Sequence, residues 1–280
     1  MERLDRTVKL RHGVEIPQLG LGVFQVPPEE AQRVVEDALD VGYRHVDTAA
    51  AYVNESGVGA ALRASGLARE DVFLTSKLRN GDQGYESTLR AYDATLERLG
   101  LERLDLYLIH WPNPAAGLWQ DSWRALERLL AEGRVRAIGV SNFLVEHLEE
   151  LQSFATELPA VNQIEVHPSF QQRDLAAECE RLSVVVQAYS PLGQGVALQN
   201  PAVVKLAAKY EVTPAQVVLA WHVQQDHVVI PKTTSRSRMV ENSSLAGLML
   251  DERAIEAIDG LDADGRIGND PRTFDLSQIR

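Results

Sequence analysis

The stretch ESTLRAYDATLERLGLERLDLYLIH, residues 86–110, decides how the chain is read. Leu89, Tyr92, Leu96 and Leu99 recur at intervals of three and four, so they share one helical face, and Gly100 follows where a C-terminal cap belongs. LDLYLIH is then an apolar run of strand length. The unit is a helix, a glycine and a buried strand, with His110 at the strand's C-terminal end.

That unit recurs along the chain. Apolar, β-rich runs stand at LGLGV (19), RHVDT (44), VFLTSKL (72), LDLYLIH (104), VRAIGVS (135), AVNQIEV (160), VVVQAYS (184) and HVVIPK (227), with helical patterns between them. Gly42 and Gly133 sit just past helices as Gly100 does, and Thr213, Pro214 and Gln216 match a capping box with proline at the first helical position. Eight buried-type strands alternating with helices predict an α/β fold, a (β/α)8 TIM barrel, since right-handed crossovers place the helices outside a parallel sheet. A short hairpin, TVKL–RHG–VEIP, precedes it and is expected to close the barrel bottom. A doubly wound sheet is the rival. No Pro/Gly/Ser-rich linker divides the chain, so one domain over residues 1–280 is expected, the length of a barrel of about 250 residues with small additions.

Composition narrows the partners. The hydrophobic fraction of 45% is that of a globular chain able to bury a large core. A net charge of -12 repels nucleic acid and anionic membrane surfaces at long range. No segment reaches the roughly 18 apolar residues of a membrane span, and MERLDRTVKL lacks the apolar stretch of a secretory signal. A cytoplasmic monomer without nucleic-acid, membrane or metal partners is expected. The single cysteine, Cys179, excludes an internal disulfide framework and reads as a buried helical thiol rather than a nucleophile.

A barrel places its chemistry at the C-terminal ends of its strands. Polar residues end seven consecutive strands: Asp47 with Tyr52 in the next loop, Ser76 and Lys77, His110, Ser141 and Asn142, Gln163, Tyr189 and Ser190, and Lys232. Singly, each has a plain explanation, such as a helix cap for Asp47 or a core histidine for His110. Together, Asp, Tyr, Lys and His on adjacent strands fit a proton-delivery site. A phenol with an ordinary pKa near 10 stays protonated at neutral pH and can donate to a developing alkoxide. A neighbouring lysine cation is expected to lower that pKa, the aspartate to keep the lysine charged, and His110 to orient the same substrate oxygen.

Such a site protonates a carbonyl oxygen while hydride attacks the carbon, and no side chain supplies hydride, so a nicotinamide is expected. The dinucleotide fingerprint is absent: GVGAAL at 57 has two of its three glycines and follows a loop, and GLGVFQ at 20 also fails. The remaining candidate is VVIPKTTSRSRMVENS, where Lys232 leads into a hydroxyl-rich helix start carrying Arg238. Free backbone N–H groups there suit phosphate, and the guanidinium suits adenine or a 2′-phosphate, which points to NADPH over NADH.

With these motifs in view, the chain resembles the aldo-keto reductase family, in a branch similar to bacterial 2,5-diketo-D-gluconate reductases. GYRHVDTAAAYVNE, LTSKL, LGLERLDLYLIHWP, GRVRAIGVSNF, VNQIEVHP, QAYSPLGQG and VIPKTTSRSRMVEN carry the resemblance nearly end to end. It implies a catalytic tetrad of Asp47, Tyr52, Lys77 and His110 with Tyr52 as proton donor. It implies that Ser141, Asn142 and Gln163 hold the nicotinamide amide, that Tyr189 stacks on its ring, and that Ser190, Pro191, Leu192 and Gly193 line the pyrophosphate. Ile230, Lys232, Thr233, Thr234, Arg238, Glu241 and Asn242 would surround the adenosine 2′-phosphate end, and Gly22 and Val23 the nicotinamide ribose. Phe24, Ala51 and Trp111 would form the substrate pocket. Arg79 stands where the family often has tryptophan, either a cation for anionic sugar acids or a side chain turned outward. The short segment from Pro112 to Trp119 and the brief tail after Gly268 predict an open pocket.

The expected activity is NADPH-dependent reduction of aldehydes and ketones, including α-dicarbonyls and keto-sugar acids such as 2,5-diketo-D-gluconate. The alternatives are a Schiff-base aldolase using Lys77 or Lys232, and a binding protein that senses NADPH.

Overall fold

The computed structural model describes residues 4–274. Strands β1 (Thr7–Lys9) and β2 (Glu15–Pro17) pair antiparallel as the opening hairpin. Eight strands follow: β3 (Leu21–Gly22), β4 (His45–Asp47), β5 (Phe73–Leu78), β6 (Leu104–Ile109), β7 (Val135–Ser141), β8 (Val161–Glu165), β9 (Val185–Tyr189) and β10 (Val228–Val229). Each pairs in parallel with its sequence neighbour. The two edges meet through parallel bridges from Leu19 to Val229 and Gly22 to Lys232. The protein is therefore the (β/α)8 barrel expected from the alternation, and the doubly wound alternative falls.

The crossovers carry α1 (Pro28–Val41), α2 (Glu55–Ala64), α3 (Tyr85–Leu99), α4 (Trp119–Ala131), α5 (Val145–Phe154), α6 (Arg173–Arg181), and the pair α7 (Pro201–Tyr210) and α8 (Pro214–Gln224). Helices α9 (Arg236–Ser243) and α10 (Glu252–Asp259) follow the last strand. Gly42 and Gly100 take φ of 107° and 68°, a left-handed conformation that ends α1 and α3 without a Cβ clash. Thr213 and Gln216 exchange the reciprocal bonds of the capping box. No helix among the described residues is long and apolar enough to cross a membrane.

Strand side chains alternate between two faces, and that period sorts the core. Leu74, Leu78, Tyr107, Ile109, Ile138, Val140, Ile164 and Val186 pack outward under the helices. The opposite parity, Phe73, Leu106, Leu108, Ala137, Val161 and Val228, fills the barrel interior together with Leu10, Val14 and Ile16 of the hairpin. The hairpin thus plugs the N-terminal end. The same inward rows finish in polar residues at the other end: Asp47, Lys77, Ser141, Gln163 and Tyr189, with His110 one step past β6. Ser76 departs from the expected convergence. One residue out of phase with Lys77, it faces the helices, where its hydroxyl donates to Glu55 Oε1 at 2.5 Å.

Candidate active site

The turn after β4 presents Tyr52. Ala49 and Ala51 are buried, so the chain can fold tightly through the short 3-10 turn Ala50–Tyr52. Asn54 fastens the turn: its Oδ1 accepts from the Thr48 hydroxyl at 2.8 Å, and its Nδ2 donates to the carbonyls of Val23 and Val26. Val53 is left at a φ of 58°, a strained position for a β-branched residue next to a candidate catalytic one.

Lys77, fully buried, spends its ammonium on three acceptors: Asp47 Oδ1 at 2.5 Å, the Thr48 carbonyl at 2.8 Å and the Tyr52 hydroxyl oxygen at 3.2 Å. Asp47 is 1% exposed, and its other oxygen accepts from Gln163 Nε2 at 2.7 Å. Burial by itself would lower the Lys77 pKa, but Asp47 and Tyr52 outweigh it and the net shift is upward. Lys77 is therefore a fixed cation at neutral pH.

The expected lowering of the Tyr52 pKa does not hold. Desolvation raises it above its ordinary value, and although Lys77 acts in the lowering direction, its contribution is the smaller one. A lysine already shared with a carboxylate is partly neutralised, which is why burial wins. Tyr52 is consequently a firmly protonated phenol.

His110 lies edge-on to Tyr52, ring centres 5.6 Å apart. Burial, aided by Lys77, holds its pKa well below the usual histidine value, so the ring is neutral. Its Nδ1 is enclosed without a hydrogen-bond partner, and its carbonyl accepts from Asn142 Nδ2 at 2.9 Å. Asn142, with a φ of 62°, also accepts from the Tyr189 hydroxyl at 2.8 Å, and Ser141 donates to the Gln163 carbonyl at 2.8 Å. Asp47, Tyr52, Lys77, His110, Ser141, Asn142, Gln163 and Tyr189 therefore meet at one mouth.

A groove of about 780 Å³ opens beside it, lined by Phe24, Ser190, Pro191, Leu192, Lys232, Thr233, Arg238, Glu241 and Asn242. Gln25, Gln194, Gln199 and Ala215 also line it; Gln194 lies within QAYSPLGQG and Ala215 within the capping box of α8, whereas Gln25 and Gln199 are brought there by the fold. Gly22, Val23, Tyr189, Gly193, Ile230 and Thr234 are not among the lining residues. Val23 is wholly buried, and Gly193 turns through a φ of 56° beside the His167 ring. Arg236 is committed to Asp40 and Asp37 of α1. Among the described residues, Lys232, just past β10, and Arg238, in the first turn of α9, carry no ion pair, and both are exposed. Two unpaired cations, a helix N-terminus and a long groove fit a phosphorylated dinucleotide.

Phe24, at the edge of the groove, lies 5.1 Å from the Tyr52 ring, and Trp111 follows His110 with ring centres 6.5 Å apart. Arg79 is gripped by both oxygens of Asp82, at 3.0 and 2.9 Å, so its charge is balanced locally. The brief tail nevertheless reaches Trp111: Phe274 is buried against it, ring centres 4.2 Å apart. An aromatic in a polar tail was the available signal. Cys179 is fully buried in α6, its pKa pushed up to about 11 by desolvation, and takes no part.

The sequence model of the Aldo/keto reductase family matches residues 18–263. An aldo-keto reductase of Mycolicibacterium smegmatis is 46% identical over 270 residues, covering 96% of this chain and 98% of that protein. A glyoxal reductase of Bacillus subtilis is 48% identical over 269 residues, covering 96% and 97%. A mutant of Gox0644 crystallised in complex with NADPH superposes with a TM-score of 0.93 at 45% identity, covering 96% of this chain and 98% of that one. With the family model matching residues 18–263 and relatives similar in sequence and fold over nearly its whole length, the chain belongs to the aldo/keto reductase family.

Proposed function

We propose that this aldo/keto reductase, an NADP(H)-dependent oxidoreductase, reduces aldehydes and ketones, preferring small neutral α-dicarbonyls of the glyoxal type to anionic keto-sugar acids. The observation that carries the reading is the commitment of Lys77. Its three contacts leave the Tyr52 hydroxyl oxygen accepting a bond, so the phenol's own proton is free for a substrate oxygen. NADPH held in the groove would supply the hydride. Tyr52 then gives its proton to the carbonyl oxygen, Lys77 stabilises the phenolate left behind, and Asp47 keeps Lys77 charged. The neutral His110 ring, with Nδ1 enclosed, offers Nε2 to orient the same oxygen.

Lys232, Thr233, Arg238 and Asn242 would hold the 2′-phosphate end, and Ser190 to Leu192 the pyrophosphate. The substrate preference follows from the walls. Phe24, Trp111 and Phe274 are apolar, Lys77 is committed to Asp47, and Arg79 is paired with Asp82. An aldolase acting through Lys77 is disfavoured because a Schiff-base amine needs a lowered pKa, and that of Lys77 is raised. An NADPH-sensing protein would bind cofactor without turnover.

A carbonyl panel followed by NADPH absorbance tests the reading. Tyr52→Phe is expected to lower kcat by about 10²–10⁴-fold while NADPH affinity, measured by fluorescence quenching, holds; full turnover in that variant would sink the mechanism. Arg238→Ala is expected to weaken NADPH far more than NADH, and equal losses would remove the 2′-phosphate assignment. The same reading takes the enzyme as a single-domain cytoplasmic monomer, so size exclusion should report a mass near 31.0 kDa.

A further inference from the structure

Two residues beyond Gln163 on β8, Glu165 has no part in the chemistry above, yet its carboxylate is buried and both oxygens are engaged. Oε1 accepts the backbone N–H of Ile267 at 2.7 Å and lies 3.0 Å from His167 Nε2. Oε2 accepts the N–H of Gly268 at 2.7 Å. Just upstream, the Ser169 carbonyl accepts from Ala263 and Gly265. A Cβ at Gly268 would stand 2.6 Å from Glu165 Oε2 and 3.4 Å from the Tyr189 hydroxyl, so the tail crosses this point too closely for a side chain. Six residues on, Phe274 closes against Trp111.

We propose that Glu165 is a positioning residue for substrate size: its carboxylate clips the tail at Ile267 and Gly268 and so holds Phe274 in place as a wall of the substrate pocket. Between Arg266 and Phe274 the tail forms neither helix nor strand. Its other contacts with the barrel are weaker: Arg266 lies over the Phe170 ring at 4.5 Å, and Arg272 pairs with Glu146 at 3.4 Å as an exposed ion pair, which contributes little. Hydrogen bonds from backbone amides to a buried carboxylate are the strong kind, so the seat of Phe274 depends on them. A small dicarbonyl does not need that wall, whereas a bulky aryl carbonyl packs on it.

The inference rests on the carbonyl-reductase reading, and the test separates the two. In Glu165→Ala, KM for phenylglyoxal should rise about tenfold, while kcat and KM for methylglyoxal and the affinity for NADPH stay near wild type. Trypsin should cut after Arg272 faster than in wild type. Phe274→Ala should give the same rise for phenylglyoxal, and the double variant no more than either single one, because both remove one wall. Should Glu165→Ala not fold, Gly268→Ala displaces the tail from the other side and must give the same split; Glu165→Gln, keeping one acceptor, should fall between. Equal effects on both carbonyls, or additive effects in the double variant, overturn the clip. If wild type reduces neither carbonyl, the functional reading fails instead, and unchanged trypsin cleavage in Glu165→Ala still decides against the clip.

Discussion

At Lys77 and Asp47 a buried ion pair meets a candidate proton donor, and the two partners cannot be removed independently. Lys77→Met leaves Asp47 charged, 1% exposed and held only by Gln163, so a loss of about 3–5 kcal/mol is expected. Adding Asp47→Asn should restore much of that stability without restoring turnover, which urea denaturation and NADPH oxidation would measure separately. If activity returned with stability, the pair would be only structural. That Asp47, Tyr52, Lys77 and His110 would meet was legible in the sequence, because three of them end adjacent strands and Tyr52 lies in the loop after the first. The direction of the Tyr52 shift was not, since it depends on how far water is excluded and how much of the Lys77 charge Asp47 has already balanced. Arg79 makes the same point: its neighbour three residues on, Asp82, is visible in the chain, but the two-oxygen grip is a matter of local backbone shape.

Among the elements, α2 and α3 touch through a glycine. A Cβ at Gly59 in α2 would stand 2.0 Å from the carbonyl oxygen of Leu99 at the end of α3. Replacing a helical glycine by alanine ordinarily stabilises by about 1 kcal/mol. Here the sign should reverse, and Gly59→Ala is expected to lower Tm because the obstacle is backbone that cannot swing aside. An unchanged or higher Tm would show that the two helices can separate at little cost. Strand parity is the other lesson at this scale. Lys77 and Ser76 are adjacent and both polar, yet one faces the mouth and the other Glu55, because neighbouring strand residues point to opposite faces. Periodicity fixes the two faces; which face is inside depends on the neighbouring strands.

The whole molecule buries several neutral histidines, and this sets its response to acid. Burial lowers His45 and His227 to about 4, and His110 and His222 well below their ordinary value of 6.5. His222 is tied to the Pro191 carbonyl at 3.2 Å under the groove and meets His227 at 3.1 Å. Between pH 6.5 and 4 the unfolded chain binds protons that the folded one refuses, so stability falls as pH falls through that window. His45 and His227 would each contribute up to about 3 kcal/mol of that loss. Tm measured from pH 7 down to 4 should drop steeply, and His45→Asn should flatten the curve; a flat wild-type profile would contradict the buried neutral state.

The order of strands, the barrel and the chemistry of its mouth were determined by the sequence, because hydrophobic period, glycine caps and strand-end residue types are local properties that the chain states in order. The clip of Glu165 on the tail, the wall formed by Phe274 and Trp111, the balance of charge around Tyr52 and the place of Gln25 and Gln199 in the groove were decided only by the tertiary structure. Each joins residues far apart in the chain, and closeness of that kind, with the exclusion of water it brings, has no period to read.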